Sequence, residues 1–275
     1  MIYKVKRSAV VNLLKIVAFA LWALPLFNSM CLASDEKREA EFADDIKKTL
    51  VIGRIVRLEA EGKNFLGLYT ETERTVSKSV VIILHDLGGH PNQRQVVDTL
   101  RVFLPEHDWA TLALQMPVRE IGADKNDYYG LLPETRARIQ AGIKYAKDNR
   151  AENIVLIGYG LGSLMALYAQ SEQSSAIKAL VTISLPVPDA NIKTVKVLEY
   201  IKKIKIPMLD IYGALDTADV VDSARDRRLA AKENPGYRQI KITDEDRRYL
   251  HDEGLVVKRI YSWLSQVSGN SSGFK

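Results

Sequence analysis

Residues 157–163, IGYGLGS, form a glycine-rich turn between an apolar run typical of a strand and one typical of a helix. A strand-turn-helix unit of the pattern G-x-S-x-G displays a nucleophilic serine at its tip, and its outer glycines let strand and helix approach closely. Gly158 and Gly162 match the outer positions, but the tip residue is Gly160. Glycine relieves the strain of the turn and has no side chain with which to form a covalent intermediate.

Two serines near this turn are the remaining hydroxyl candidates for a nucleophile. Ser163 lies three residues past the tip, on the predicted helix, where its side chain turns away from the sheet edge. We expect it to be a small packing residue. Ser184 ends a later apolar run, at the edge of the sheet where ligands gather, and it stays a minor candidate.

Dinucleotide and metal chemistry are both disfavoured. The G-x-G-x-x-G pattern that cradles a dinucleotide needs a third glycine where this chain has Ser163, and only Asp189 lies near the position of the expected acid. The histidines lack the helical H-E-x-x-H spacing and any cysteine partner. They are His85, His90, His107 and His251. We therefore expect neither a metal nor a cofactor.

The elements that must position these residues alternate along the chain. An antiparallel hairpin is predicted around residues 61–64. The strands that follow are predicted at 79–86, 109–117, 153–159, 178–186, 207–216 and 237–243. The intervening helices are predicted at 93–107, 133–149, 161–173, near 220–233, and at 253–267. This alternation predicts an α/β domain with a mostly parallel, twisted sheet and helices on both faces.

With these elements in place, residues 50–267 resemble the α/β-hydrolase superfamily. The hairpin, the strand that ends in HDLGGH and the unit around IGYGLGS are similar to that fold in order and spacing. HDLGGHPN, LRVFLPEHDWATLALQMP and IGYGLGS together resemble a little-characterised proteobacterial family of exported hydrolase-like proteins, a domain of unknown function with glycine at the tip of the turn. The resemblance implies more about fold than about chemistry.

The resemblance also implies an acid and a histidine. In the superfamily, an acid follows the next-to-last strand and a histidine follows the last one. Asp216 matches the acid, with Asp219 as a substitute, and His251 matches the histidine. One hypothesis is a hydrogen bond between Asp216 and His251. The alternative is that Asp216 caps the following segment and that His251 is exposed at a helix start.

An anion-binding loop is the third implied feature. HDLGGH corresponds to the loop that supplies a backbone amide, here Leu87, with Leu161 supplying the second amide behind the turn. His85 is expected to brace this loop by hydrogen bonding to backbone. Asp86 departs from the pattern, since many hydrolases have glycine there. A carboxylate at this site opposes ester hydrolysis unless it points away.

Residues 1–33 have a basic start, an apolar run from 16 to 27 and Ala33 before Ser34, as in a secretory signal peptide. Cleavage between Ala33 and Ser34 would place the protein in the periplasm or cell envelope. The alternative is an uncleaved membrane anchor, although the run is shorter than the span of about 20 residues that a bilayer requires. Cys31 is the only cysteine, so a cleaved chain would have no thiol.

The rest of the chain is predicted as a charged linker or frayed helix at 34–50, the hydrolase-like domain at 51–267 and a flexible tail at 268–275. The formal net charge of +5 comes mostly from the leader, which has four Lys and Arg residues and no acid. The remaining domain therefore has no basic excess for nucleic acid. A membrane partner is expected only if the leader is uncleaved.

Two functional hypotheses follow. The first is a pseudoenzyme of the cell envelope that binds a small molecule, a glycan or a protein through the former cleft or through the 118–132 loop with Tyr128 and Tyr129. The second is a hydrolase of altered mechanism for esters, thioesters or amides. In it, Asp216 and His251 activate a water over the backbone amides of Leu87 and Leu161.

Overall fold

The structure is a computed structural model that describes residues 34–72, 78–172, 176–189, 191–192, 194–252 and 254–269. The predicted signal peptide lies outside the described residues, and so do residues 270–275 of the predicted tail. In the part of the chain that is described, no helix combines the length and the apolar character needed to cross a bilayer.

Eight strands and eight α-helices make up the described domain. The strands are β1 (Arg54–Ala60), β2 (Lys63–Thr70), β3 (Ser79–Leu84), β4 (Ala110–Leu114), β5 (Asn153–Tyr159), β6 (Ile177–Ile183), β7 (Met208–Gly213) and β8 (Tyr237–Ile242). The helices are α1 (Glu36–Thr49), α2 (Val96–Phe103), α3 (Leu132–Asp148), α4 (Leu161–Glu172), α5 (Val197–Lys203), α6 (Ala218–Val221), α7 (Ala224–Ala230) and α8 (Leu255–Gly269). Short 3₁₀ turns cover Leu104–His107 and Lys125–Leu131.

The strands form one sheet in the order β1-β2-β4-β3-β5-β6-β7-β8. β2 runs antiparallel to both of its neighbours. The remaining pairs, β4–β3, β3–β5, β5–β6, β6–β7 and β7–β8, are all parallel. The predicted mostly parallel sheet with an N-terminal antiparallel hairpin is therefore confirmed. Because parallel strands end at the same edge, the loops that follow β3 to β8 meet there. We call this the carboxyl edge of the sheet.

Helices cover both faces of the sheet because the central strands are apolar on both sides. Along β3, Val80 and Ile82 belong to one buried cluster, which includes residues of α3, α4 and α5. Val81 and Ile83 alternate with them and belong to the other cluster, which includes residues of α2 and α8. This two-sided burial fixes the strand register and therefore the positions of the loops at the carboxyl edge.

Two segments differ from their predicted form. Residues 36–49 are a packed helix instead of a solvated linker or a frayed helix, since Ile46 is buried and Arg38 donates to the carbonyls of Gly88, at 3.0 Å, and Arg119. These contacts come from distant loops, so the local charge pattern could not indicate them. The helix predicted near 220–233 is split into α6 and α7, with the Ser223 hydroxyl donating to the Asp219 carbonyl at 2.7 Å.

Candidate active site

The turn between β5 and α4 has the backbone shape expected of a nucleophile elbow. Gly160 lies at its tip with φ of 56°, in the left-handed region that favours glycine. Its N–H donates to the Ile183 carbonyl at 2.8 Å. A Cβ on Gly162 would lie 2.5 Å from the Leu84 carbonyl oxygen, and one on Gly158 would overlap the Gly162 backbone. The close approach of strand and helix therefore requires the outer glycines.

The carboxylate of Asp86 fills the space beyond the tip. Its Oδ1 accepts the backbone N–H of Leu161 at 2.7 Å. A Cβ built on Gly160 would overlap this carboxylate and the guanidinium of Arg247. Asp86 follows β3 by two residues, so the parallel pairing of β3 with β5 delivers its side chain to the turn. The side chain points into the predicted anion site and does not turn away.

Arg247 holds this carboxylate in place. Its Nη2 donates to Asp86 Oδ1 at 2.6 Å, and its Nε donates to Oδ2 at 3.0 Å. The Tyr159 hydroxyl donates to the Arg247 carbonyl at 2.8 Å, which fixes the loop that carries the arginine. Burial lowers the pKa of the Arg247 guanidinium, because it disfavours the charged form. The charge and the hydrogen bonds of the Asp86 carboxylate act in the opposite direction, and the pKa lies above its usual range. The side chains of Arg247 and Asp86 are 26% and 11% exposed, so the pair is largely shielded from solvent.

The predicted anion site is therefore filled by a carboxylate of the protein itself. A backbone amide that would stabilise a developing negative charge is already paired, at Leu161, with a negative group. Leu87 extends its side chain into solvent, and no hydrogen bond of its amide is found among the contacts described. The arrangement binds a carboxylate and supplies no free pair of amide donors.

His85 braces the loop, as its position predicts. Its Nε2 accepts the backbone N–H of Met116 at 2.9 Å, and its Nδ1 lies 2.8 Å from the Asp86 carbonyl, which assigns the proton to Nδ1. Complete burial lowers the pKa of His85 to about 4, although the Asp86 carbonyl opposes the shift. This histidine is thus neutral and structural near neutral pH.

The structure does not bring Asp216 and His251 together in a hydrogen bond. Asp216 Oδ2 accepts the hydroxyl of Ser184 at 2.5 Å, and its Oδ1 accepts the Thr217 N–H at 2.8 Å. His251 is exposed, and its backbone N–H donates to the Glu245 carboxylate at 3.2 Å. That buried carboxylate also accepts the Asp252 N–H at 2.6 Å, so it holds the loop with His251 facing solvent.

Both serine candidates are buried, and their hydroxyl groups take part in hydrogen bonds. The Ser163 hydroxyl donates to the Gly158 carbonyl at 2.6 Å and accepts the Ile183 N–H at 2.9 Å, so it joins β5, α4 and β6 as a structural residue. The Ser184 hydroxyl lies 2.9 Å from that of Tyr249 and donates to Asp216. Ser184 and Tyr249 both have positive φ, of 55° and 53°. Neither serine is accessible to a substrate.

The 118–132 loop differs from the prediction. Tyr128 and Tyr129 are buried in the core cluster and cannot form the exposed binding surface expected of them.

Burial, and then the charge of Asp219, raise the pKa of Tyr129 to about 12. Asp219 itself pairs with Lys125 and accepts the Thr217 hydroxyl at 2.6 Å. Burial alone would raise the pKa of the Asp219 carboxyl. The partners Lys125 and Thr217 act in the opposite direction, and the pKa lies below its usual value. The loop is thus tied to the segment that follows β7.

No sequence pattern singles out Arg247 and Tyr249, which lie in the charged stretch DEDRRYL just before His251. No spacing rule distinguishes Arg247 from Arg248, because the choice depends on which side chain turns toward β3 and β5. In the described residues, no group of three or more His, Cys, Asp or Glu side chains could hold a metal ion.

Solved structures of hydrolases share this architecture. Est1E from Butyrivibrio proteoclasticus aligns with a TM-score of 0.65 and 18% identity over 79% of this chain and 99% of its own. The Pyrococcus furiosus esterase Pf2001 aligns with a TM-score of 0.61 and 20% identity over 80% and 95%, respectively. The esterase domain of a Rhodothermus marinus protein gives 0.61 and 14% over 78% and 99%. The chain therefore has the α/β-hydrolase fold.

No curated protein matches this sequence. A family model with the description "Protein of unknown function (DUF3530)" matches residues 32–129 and 130–266, which together span most of the chain and include every site residue described above. On that match, the chain belongs to the DUF3530 family.

Proposed function

We propose that this protein is a non-hydrolytic binding protein of the cell envelope, built on a hydrolase fold whose reaction centre is closed by its own side chains. One observation carries the proposal: the Asp86 carboxylate, held by Arg247, lies where a nucleophile's side chain would begin and accepts the Leu161 amide. The exported location rests on the leader sequence alone.

The site fails to meet three requirements of acyl transfer, and this supports a non-hydrolytic role. The tip of the elbow, Gly160, has no nucleophilic atom. The side chain that reaches the tip from the last strand's loop is Arg247, a guanidinium that stays charged and cannot accept a proton. The anion site contains the negative charge of Asp86, which would repel a developing oxyanion.

The alternative, a hydrolase that activates water through Asp216 and His251, receives no support from the geometry. Asp216 already accepts hydrogen bonds from Ser184 and Thr217, and His251 faces solvent. A general base must lie within hydrogen-bond reach of the water it deprotonates and of the group that orients it. The described contacts provide neither relation, so we retain the binding role.

The test is reaction with a fluorophosphonate probe together with a panel of acyl esters, thioesters and amides. We expect no covalent labelling and no turnover above the buffer rate. We expect the same of Asp86→Ala, because removing the carboxylate supplies neither nucleophile nor base. A probe adduct on any residue at the carboxyl edge, or turnover that Asp216→Asn abolishes, would overturn the proposal.

A further inference from the structure

Exposed apolar side chains are concentrated at the carboxyl edge. Among the described residues, seven large hydrophobic side chains are exposed, and four of them lie in loops at this edge. They are Leu87 after β3, Ile121 after β4, Leu215 after β7 and Leu250 after β8. Ile121 is 85% exposed and Leu215 is 67% exposed. Such a grouping on otherwise polar loops is typical of an interaction surface.

Hydrogen bonds join these four loops into one framework. Arg38 donates to carbonyls in the β3 loop, at Gly88, and in the β4 loop, at Arg119. Asp86 and Arg247 join the β3 and β8 loops. The Leu215 N–H donates to the Glu245 carbonyl at 2.9 Å, which joins the β7 and β8 loops. The apolar side chains are thus presented by loops that are fixed relative to one another, which lowers the entropic cost of binding.

The same loops are strongly acidic. Over residues 85–95, 115–131, 214–223 and 243–252 the only basic side chains other than histidine are Arg94, Arg119, Lys125, Arg247 and Arg248. The acidic side chains there outnumber them, and all but two are exposed or half-buried: Glu120, Asp124, Asp127, Asp216, Asp219, Asp222, Asp244, Asp246 and Asp252, beside the buried Asp86 and Glu245. An anionic lipid surface would be repelled, whereas a basic partner would be attracted.

We propose that the carboxyl edge binds a basic amphipathic segment of a partner protein. This inference rests on the proposed non-hydrolytic role, because it uses the closed cleft as a platform. The apolar face of the segment would cover Ile121, Leu215 and Leu87, and its Lys and Arg side chains would meet the surrounding carboxylates. The chemistry combines burial of apolar area with charge attraction, so the binding weakens as salt rises.

A groove beside this surface offers a place for one apolar anchor. It has a volume of about 560 Å³, lies between α2 and α8 and is lined in part by Leu250. Val96, Phe103, Tyr249 and Val256 contribute to its walls. Charged side chains of both signs, Arg94, Asp98 and Lys258, border its apolar walls, so the side chain that enters is expected to be uncharged.

The experiment measures binding of a fluorescent helical peptide of about five turns, made of Leu on one face and Lys on the other. The protein is used in the form that the cell produces. We expect saturable binding that weakens with rising salt and that falls about tenfold or more in the double variant Ile121→Ser, Leu215→Ser. A peptide with Glu in place of Lys should not bind.

Two matched variants control for nonspecific hydrophobic binding. Val51, which is 92% exposed, lies in the segment before β1, outside the four loops, and Leu229 lies on α7 and is 53% exposed. Val51→Ser and Leu229→Ser should leave the affinity unchanged. Equal loss in these controls, binding of the Glu peptide, or no binding at all would overturn the inference. Binding to anionic vesicles without peptide binding would also overturn it.

The two proposals fail in different ways. Ester turnover or probe labelling would overturn the non-hydrolytic role whatever the peptide does. Failure of the peptide to bind, in a protein that neither reacts with the probe nor turns over esters, would overturn only the assignment of the partner surface.

Discussion

The Asp86 carboxylate accepts the Leu161 backbone N–H at 2.7 Å, in the space where a side chain at position 160 would begin. A glycine at the tip of an elbow is therefore more than the loss of a nucleophile. It is the residue that leaves room for a carboxylate supplied by the neighbouring loop.

Gly160→Ala is expected to destabilise the protein by about 2–5 kcal/mol, since it combines a left-handed backbone with overlap of the Asp86 carboxylate. Gly122→Ala is the matched control, because Gly122 also has positive φ but has open space around it. Its cost should be only about 1–2 kcal/mol. Urea unfolding measures both. Equal costs would mean that Asp86 does not occupy the tip.

Arg247→Met is expected to cost about 1–3 kcal/mol, because it leaves the shielded Asp86 carboxylate without its charged partner. The adjacent Arg248 provides the control: it is 65% exposed and pairs with Asp246, so Arg248→Met should cost only about 0–1 kcal/mol. The free energies of unfolding of the two variants show which arginine is the charged partner of Asp86. A larger loss in the Arg248 variant would contradict the assignment.

Asp86→Ala is expected to convert the closed site into one that binds a small carboxylate. Arg247 and the Leu161 N–H would then lack their acceptor and could bind formate in its place. Formate should raise the Tm of the variant, whereas chloride at equal ionic strength should not. The unmodified protein should show no such difference between the two salts. A similar response to formate in both proteins would contradict the role of Asp86.

Much of the fold could be predicted from sequence because its signals are local. Apolar runs such as 79–84 and 153–159 mark strands buried on both faces, and the glycines of 158–162 mark the sharp turn. A helix was one of two expectations for α1, but its packing could not be predicted, since Arg38 finds its acceptors at Gly88 and Arg119 only after the chain folds. Local signals therefore establish elements but not the long-range contacts that stabilise them.

The candidate site was predictable only in part for the same reason. Gly160 and Asp86 were identified by their positions, but the pairing of Asp86 with Arg247 joins residues 161 positions apart. His251 matched the expected order of residues, yet Glu245 holds its loop with the imidazole facing solvent. Order along the chain does not determine which side chain of a loop turns inward.

The pH dependence of stability should reflect His85. Its folded pKa, about 4, lies below the usual histidine pKa of 6.5, so the unfolded chain binds a proton that the folded protein excludes. The resulting stability is complete above pH 6.5 and falls by roughly 3 kcal/mol as the pH drops toward 4. Proton NMR should show a neutral His85 ring at pH 5.5. A charged ring at that pH would contradict its buried, backbone-bonded state.

Ser184→Ala is expected to cost about 1–3 kcal/mol, because it leaves the buried Tyr249 hydroxyl and Asp216 without their shared partner. His251→Ala should change the free energy of unfolding by less than about 0.5 kcal/mol, since its side chain faces solvent. Thermal and urea unfolding of the two variants make the comparison. A costly His251→Ala would restore the possibility of an Asp216–His251 pair.

The central claim is that the Asp86 carboxylate fills the position that a side chain at residue 160 would need. A double-mutant cycle between Gly160→Ala and Asp86→Ala, followed by urea unfolding, tests it most directly. The account predicts that Gly160→Ala costs at least about 1 kcal/mol less in the Asp86→Ala background, because the overlap is gone. Additive costs in the cycle would contradict the account.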